Sequence, residues 1–261
     1  MTSFGARMGG DGGEGGALEF APDEAGGDLL RPGGLALTER ALGYCELGAG
    51  ARVLDLGCGT GVTVEHLCGS LALDALGVDS SREALERGRR RNATVPLVQG
   101  SGNDLPIASG SVAAVLAECS LSVMPAKERV LSECWRVLAP GGRLAVIDLY
   151  AREPGALALL RSLPVTRVAR MTTLEEISGQ LEEQGFCVEL WEDHSPSLAE
   201  FAFHLAIEGR AHRPTRAQRQ LSPREQQQVS DAVRRARPGY LLLVAAKRRG
   251  ARPGGSRSHE G

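Results

Sequence analysis

Short apolar runs alternate with amphipathic stretches along the middle of the chain. The run at 52–57 reads as a buried strand that ends in a Gly-rich turn, and the runs at 73–79, 96–100, 112–118 and 143–150 read as four more strands. Between them, helical spacing covers 61–68, 81–91 and 126–138, and Pro140, Gly141 and Gly142 stop the last of these. A helix at 172–184 ends at Gly185, a strand follows at 186–193, helices at 197–208 and 223–236, and a final strand at 240–247. Strand–helix alternation of this kind predicts an α/β domain, with seven strands in one sheet and helices on both faces. Ligands of such sheets lie at the carboxyl ends of the strands.

The two ends differ from this body. Residues 1–27 are Gly-rich and poor in apolar side chains, too poor to offset the entropy of ordering, and are expected to be disordered. Residues 248–261 are Gly, Arg, Ser and Pro and read as a second, basic tail. The domain is expected over 28–247, with 28–43, 151–171 and the helices of 197–239 as candidate lid segments on the substrate side. From Arg210 onward there are 13 basic and 3 acidic residues. That asymmetry reads as a solvated helix face plus a tail before it reads as a docking surface.

Composition narrows the functional classes. The 32 acidic and 30 basic residues nearly cancel, and aromatic residues make up only 4%. No nucleic-acid partner is therefore expected. The longest uncharged apolar run, 240–246, is far short of the roughly 18 residues of a membrane span. No apolar leader is visible, so a cytoplasmic protein is expected. The six cysteines form no C-x-x-C pair, and no metal site is expected. A G-x-x-x-x-G-K-[ST] loop is also missing, which argues against a P-loop hydrolase.

The chemistry-bearing motif is Asp55-Leu56-Gly57-Cys58-Gly59-Thr60-Gly61, between the first strand and the first helix. Glycines let backbone turn sharply and approach a ligand closely. A dinucleotide site needs G-x-G-x-x-G to seat its pyrophosphate on the helix end. The spacing here is tighter, and the acid Asp55 repels phosphate and attracts an ammonium group. A cationic, phosphate-free cofactor is favoured, and a dinucleotide oxidoreductase is disfavoured. Asp79, followed by Ser80 at the tip of the second strand, lies about 20 residues further on, where an acid can hold both hydroxyls of a ribose. The third strand leads into Gly100-Ser101-Gly102-Asn103-Asp104, a turn suited to an adenine edge.

In these motifs, and in V-L-A-P-G-G-R-L at 137–144, the chain resembles the class I S-adenosylmethionine-dependent methyltransferases. The branch is the one that includes the ubiquinone/menaquinone-biosynthesis and arsenite methyltransferases. The resemblance spans about residues 31–193. It implies a Rossmann-like, mostly parallel seven-stranded sheet with an antiparallel last strand, S-adenosyl-L-methionine as cofactor, and a small-molecule acceptor. It further implies that Gly57, Gly59 and Gly61 line the methionine side with Asp55 near its ammonium group, and that Asp79 holds the ribose. Ser101 and Gly102 would flank the adenine, and Ala117 and Glu118 would lie beside the sulfonium. Two positions depart from the family pattern: Ser101 stands where an acid is usual, which shifts adenine contact toward Asn103 or Asp104, and Ala113 stands for the usual Asp before the fourth strand.

On the substrate side the candidates are Glu118, Cys119 and Ser120 after the fourth strand, Asp148 and Tyr150 after the fifth, and Arg31 before the sheet. His194 is a candidate general base, against the plainer role of a surface or capping histidine. It follows a sixth strand whose end faces the site only if that strand does not run antiparallel. Glu118 is either a cofactor or substrate contact or a solvent-facing acid. Cys119 raises arsenite as an acceptor, since soft arsenic prefers thiolates; the segment 151–171 holds no second cysteine to support it. A cofactor-binding subunit without turnover, or transfer of another group from the same cofactor, is the competing reading.

Overall fold

A computed structural model of the chain describes residues 31–162, 170–207 and 222–248. The disorder expected for 1–27, and for 248–261 beyond Arg248, lies outside these residues, as does the middle of the 197–239 segment.

The seven strands are β1 (Arg52–Leu56), β2 (Asp74–Asp79), β3 (Leu97–Gln99), β4 (Val112–Glu118), β5 (Leu138–Ala151), β6 (Phe186–Asp193) and β7 (Pro238–Lys247). They form one sheet in the order β3-β2-β1-β4-β5-β7-β6. β1 to β5 pair in parallel, and β7 runs antiparallel to both β5 and β6. β6 therefore points the same way as β5, and its carboxyl end lies on the same sheet edge as those of β1 to β5. Only β7 is reversed.

Helices α1 (Gly34–Gly43), α2 (Val62–Gly69), α3 (Arg82–Arg91), α4 (Lys127–Val137), α5 (Leu157–Ser162), α6 (Leu174–Glu183), α7 (Ser195–Ile207) and α8 (Pro223–Ala236) surround the sheet. The candidate lid segment at 151–171, in which the sequence pattern shows no helix, contains α5, whose 6 residues are too few to show a helical period. Side-chain alternation divides the core into two layers. Val53, Leu116, Ile147 and Leu242 pack with Leu37 and Ala41 of α1, Val64 and Leu67 of α2 and Leu85 of α3. Leu54, Val115, Val146 and Leu243 pack on the other face with Val130 and Leu131 of α4 and Ile177 and Leu181 of α6. A smaller cluster joins Leu157 and Leu160 of α5 to Val229 and Val233 of α8, beyond the end of β5.

Local chemistry sets several helix starts. The Ser81 hydroxyl accepts the Ala84 N–H at the start of α3, and Thr173 and Ser222 form reciprocal capping boxes with Glu176 and Glu225. α4 is closed from the far side of the sequence: Lys247 on β7 donates to the carbonyls of Trp135 and Leu138 and lies 4.0 Å from the Trp135 ring centroid. The expected stop at Pro140–Gly142 is instead an irregularity inside β5, where pairing with β4 shifts between Val112 and Ala114. Among the described residues no helix is long and apolar enough to cross a membrane.

Candidate functional site

The glycine loop joins β1 to α2, and all three of its glycines take positive φ: Gly57 at 80°, Gly59 at 55° and Gly61 at 79°. Their surroundings differ. A Cβ on Gly57 would stand 2.5 Å from the Ser120 Cβ, and one on Gly61 2.6 Å from a Leu97 methyl. A Cβ on Gly59 would meet nothing within 4 Å. Gly57 and Gly61 are thus required by the protein's own packing, whereas Gly59 faces open space. The loop is also braced from behind. A Cβ at Gly88 of α3 would come within 2.2 Å of the Thr60 carbonyl oxygen, and Arg91 donates to the Thr60 hydroxyl and carbonyl. A glycine inside an otherwise strong helical pattern is the sequence signal for this close approach.

Asp79, at the tip of β2, accepts the Gly59 N–H at 2.8 Å and the Ser81 N–H at 2.7 Å. One carboxylate therefore ties the glycine loop to the start of α3. Ser80 is exposed beside it. On the same sheet face, Glu118 closes β4 with its side chain 3% exposed. It accepts from the hydroxyls of Thr38 (2.8 Å) and Thr63 (3.2 Å), and Arg31 stands 3.0 Å away. The Arg31 guanidinium also donates to both hydroxyls, at 2.6 Å and 2.9 Å. This cluster latches α1 and α2 to the tip of β4. The carboxylate that meets Arg31 thus belongs to the protein itself. Thr38 and Thr63 carry no sequence signal, because only the approach of α1 and α2 to β4 gives them their role.

Asp55 lies between these two acids, 3% exposed, and receives no hydrogen bond among the described residues. Burial, reinforced by the charges of Glu118 and Asp79 and opposed by Arg31, pushes its carboxyl up to about 8.

The remaining candidates are placed elsewhere. Ala117 is buried in the opposite core layer. Cys119 takes a left-handed φ of 50°, and its Sγ lies 3.0 Å from the hydroxyl of the fully buried Tyr240. Burial pushes the thiol up to about 12, so it is not a thiolate at neutral pH. Asp148 points to the α4/α6 face, where it accepts the Ser122 N–H and hydroxyl and the Leu149 N–H, and burial raises its carboxyl. Tyr150 shares that face, its ring lying over Gly239. His194 follows β6; its Nε2 lies 2.8 Å from Glu192, a carboxylate also held by Arg40 and Tyr44. Three strand spacings of about 4.8 Å separate β6 from β4. The structure therefore brings together Asp55, Gly59, Asp79, Glu118 and Arg31, and separates Asp148, Tyr150 and His194 from them.

On the third-strand turn, Gly102 lacks the Cβ that would approach the Met124 sulfur to 3.0 Å, and the exposed Ser101 accepts the Asn103 N–H. Two buried oxygens at this sheet edge, Asn103 Oδ1 and Ser120 Oγ, have no hydrogen-bond partner among the described residues. Open space at Gly59, an excess of carboxyl groups over cations and two unsatisfied polar atoms suit a cationic, hydroxyl-bearing ligand such as S-adenosylmethionine.

Comparison with known proteins agrees. The family described as "Methyltransferase domain" matches residues 54–146. An uncharacterized methyltransferase of Synechocystis is 33% identical over 145 residues, 53% of this chain and 68% of that protein. An arsenite methyltransferase of Halobacterium salinarum is 30% identical over 152 residues, 55% of this chain and 39% of that protein. The chain spans about half the length of several curated relatives that it matches. The solved structure of the (4+2)-cyclase SpnF superimposes with a TM-score of 0.60 at 26% identity, covering 82% of this chain and 81% of that one. Fold, glycine loop and relatives together place this chain in the class I S-adenosylmethionine-dependent methyltransferase family.

Proposed function

We propose that this protein transfers a methyl group from S-adenosylmethionine to a small-molecule acceptor. The observation that carries this reading is the carboxyl-lined face beside Gly59, the one loop glycine whose missing side chain opens on free space. Bound there, the cofactor supplies a methyl group already activated on a sulfonium. The glycine loop admits it, Asp55 offers a counter-charge to its cationic groups, and Asp79 and Ser80 take its ribose. Ser101, Gly102 and Asn103 border its adenine. The chain's own contribution to the reaction is alignment and exclusion of water. Arg31 and Glu118 act as positioning residues: with Thr38 and Thr63 they hold α1 as a wall of the site. In this reading the segments around α5, α7 and α8 cover the acceptor, and the protein works in the cytoplasm.

Arsenite is not favoured as acceptor, since Cys119 holds its proton and hydrogen-bonds Tyr240. The likeness to a cyclase supports a second reading, in which the cofactor is held without methyl transfer. Incubation with methyl-labelled S-adenosylmethionine and a metabolite panel separates the two. Label in an acceptor, with S-adenosylhomocysteine as product, supports transfer; tight cofactor binding with no turnover over a broad panel supports the second.

Asp79→Ala is expected to weaken S-adenosylmethionine binding by about 1.5–3 kcal/mol, or roughly 10- to 150-fold. It removes the acceptor for ribose hydroxyls and the tie to the Gly59 N–H. Calorimetry checks this, and unchanged affinity in a folded variant would remove Asp79 from the site.

A further inference from the structure

Asp55, Asp79 and Glu118 lie at the tips of three neighbouring strands, on one face. In register, Asp55 is flanked by Gly77 on β2 and Leu116 on β4. Asp79 and Glu118, two residues further along, are therefore its diagonal neighbours at about 8 Å between Cα atoms, from the strand spacing and rise. Two of the three acids are satisfied. Glu118 is met by a guanidinium and two hydroxyls, and Asp79 by two backbone amides. Asp55 is buried and receives no hydrogen bond from the described residues.

The other groups that face Asp55 do not rescue it. Cys58 of the glycine loop is a thiol that burial keeps protonated. α2 presents the Thr63 hydroxyl, which is engaged with Glu118. Arg89 of α3, whose charge reaches the neighbouring Cys58, donates to the Leu97 carbonyl. Among the described residues the cation that acts on Asp55 is Arg31, ahead of α1, and it is bonded to Thr38, Thr63 and Glu118. A buried carboxyl in that setting lowers its energy by keeping its proton.

We propose that a cationic ligand entering this face displaces the proton that Asp55 carries in the free protein, so that binding and proton release are a single event. The inference rests on the S-adenosylmethionine reading of the site. The carboxyl O–H bond breaks, the proton passes to solvent, and the ligand's positive charge neutralises the carboxylate left behind. No covalent bond to the ligand forms. An anionic dinucleotide gains nothing from this exchange, so the same group discriminates between the two cofactor classes.

The sign follows from linkage. While free Asp55 is protonated and bound Asp55 is not, affinity rises about tenfold per pH unit, with about one proton released per ligand. The ligand's own ammonium group ionises near pH ~7.7–8.0, so the range from pH 6 to 7 isolates Asp55. The experiment is calorimetry of the full chain with S-adenosylmethionine at pH 6.5, in buffers of differing ionisation heat, for the wild type and Asp55→Asn. Release of about one proton by the wild type and close to none by the variant is expected. Binding by the wild type without release, or equal release by both, overturns the exchange alone. A wild type that binds no S-adenosylmethionine overturns the exchange and the cofactor reading together.

A second measurement needs no ligand. Native Asp55 holds a proton that the unfolded chain gives up, so melting temperature should fall as pH rises from 5 to 8, and Asp55→Asn should flatten that fall. Equal slopes in the two proteins overturn the proposal even if the variant fails to bind. The variant should fold, because the amide has the shape and neutrality of the protonated acid.

Discussion

Replacing Arg31 with alanine is expected to lower unfolding free energy by about 3 kcal/mol, the low end of the range for breaking a buried ion pair. The partner left behind, Glu118, has a side chain only 3% exposed, whereas the guanidinium is 15% exposed and loses less on removal. The loss exceeds that from either threonine, since Thr38→Val removes hydroxyl bonds worth about 1 kcal/mol each and leaves the charge compensated. Arg31→Ala with Glu118→Gln should recover part of the loss, because the second change takes away the stranded charge. Urea unfolding of the four proteins measures this as a double-mutant cycle. A loss below about 1 kcal/mol for Arg31→Ala would mean that α1 is held to the sheet by its apolar face alone, through Leu37, Ala41 and Leu42.

The second large effect separates two glycines of one loop. Gly59→Val should abolish detectable cofactor binding in a chain that still folds. Nothing within 4 Å resists its Cβ, so the cost to the fold is the strain of a β-branched residue at φ 55°, about 1–2 kcal/mol. The cost to binding is steric, since the side chain occupies the space the ligand needs. Gly57→Val should instead unfold the protein or lower its stability by several kcal/mol. Its Cβ would stand 2.5 Å from the Ser120 Cβ, and its φ is 80°. Circular dichroism and melting report the fold, and calorimetry reports the ligand. A folded Gly59→Val chain that binds S-adenosylmethionine normally would move the cofactor away from this loop.

Both effects depend on information that the sequence carries unevenly. The glycine motif, the acid at Asp79 and most strands and helices are legible along the chain, because each depends on neighbours within a few residues. β6 is an example: its limits follow from the apolar run at 186–193, but its direction does not. Direction came from β7, which enters between β5 and β6 and reverses the chain, pairing with β5 across 87 to 103 residues and with β6 across 48 to 61. For that reason the place of His194 was open in the sequence. The sheet order then settles that it shares the edge with Glu118 but stands three strands away.

The candidate site divides in the same way. Asp55, Gly57, Gly59, Gly61 and Asp79 belong to local turn chemistry, and the glycine spacing with the acid Asp55 disfavours a pyrophosphate loop. Asp148 and Tyr150 belong to the same strand as core residues, and only side-chain alternation against α4 and α6 shows that they face away from Asp55. Thr38, Thr63 and Glu118 lie on three separate elements and Arg31 ahead of the first, with a separation of 80 residues from Thr38 to Glu118. By itself the sequence determined the fold class, the glycine loop after the first strand and the acid at the second strand, because periodicity and glycine spacing act over one or two turns of chain. Only the tertiary structure decided which acids are satisfied, which glycine is open and which cation is committed. Burial and charge compensation are properties of groups that the chain brings together only when it folds.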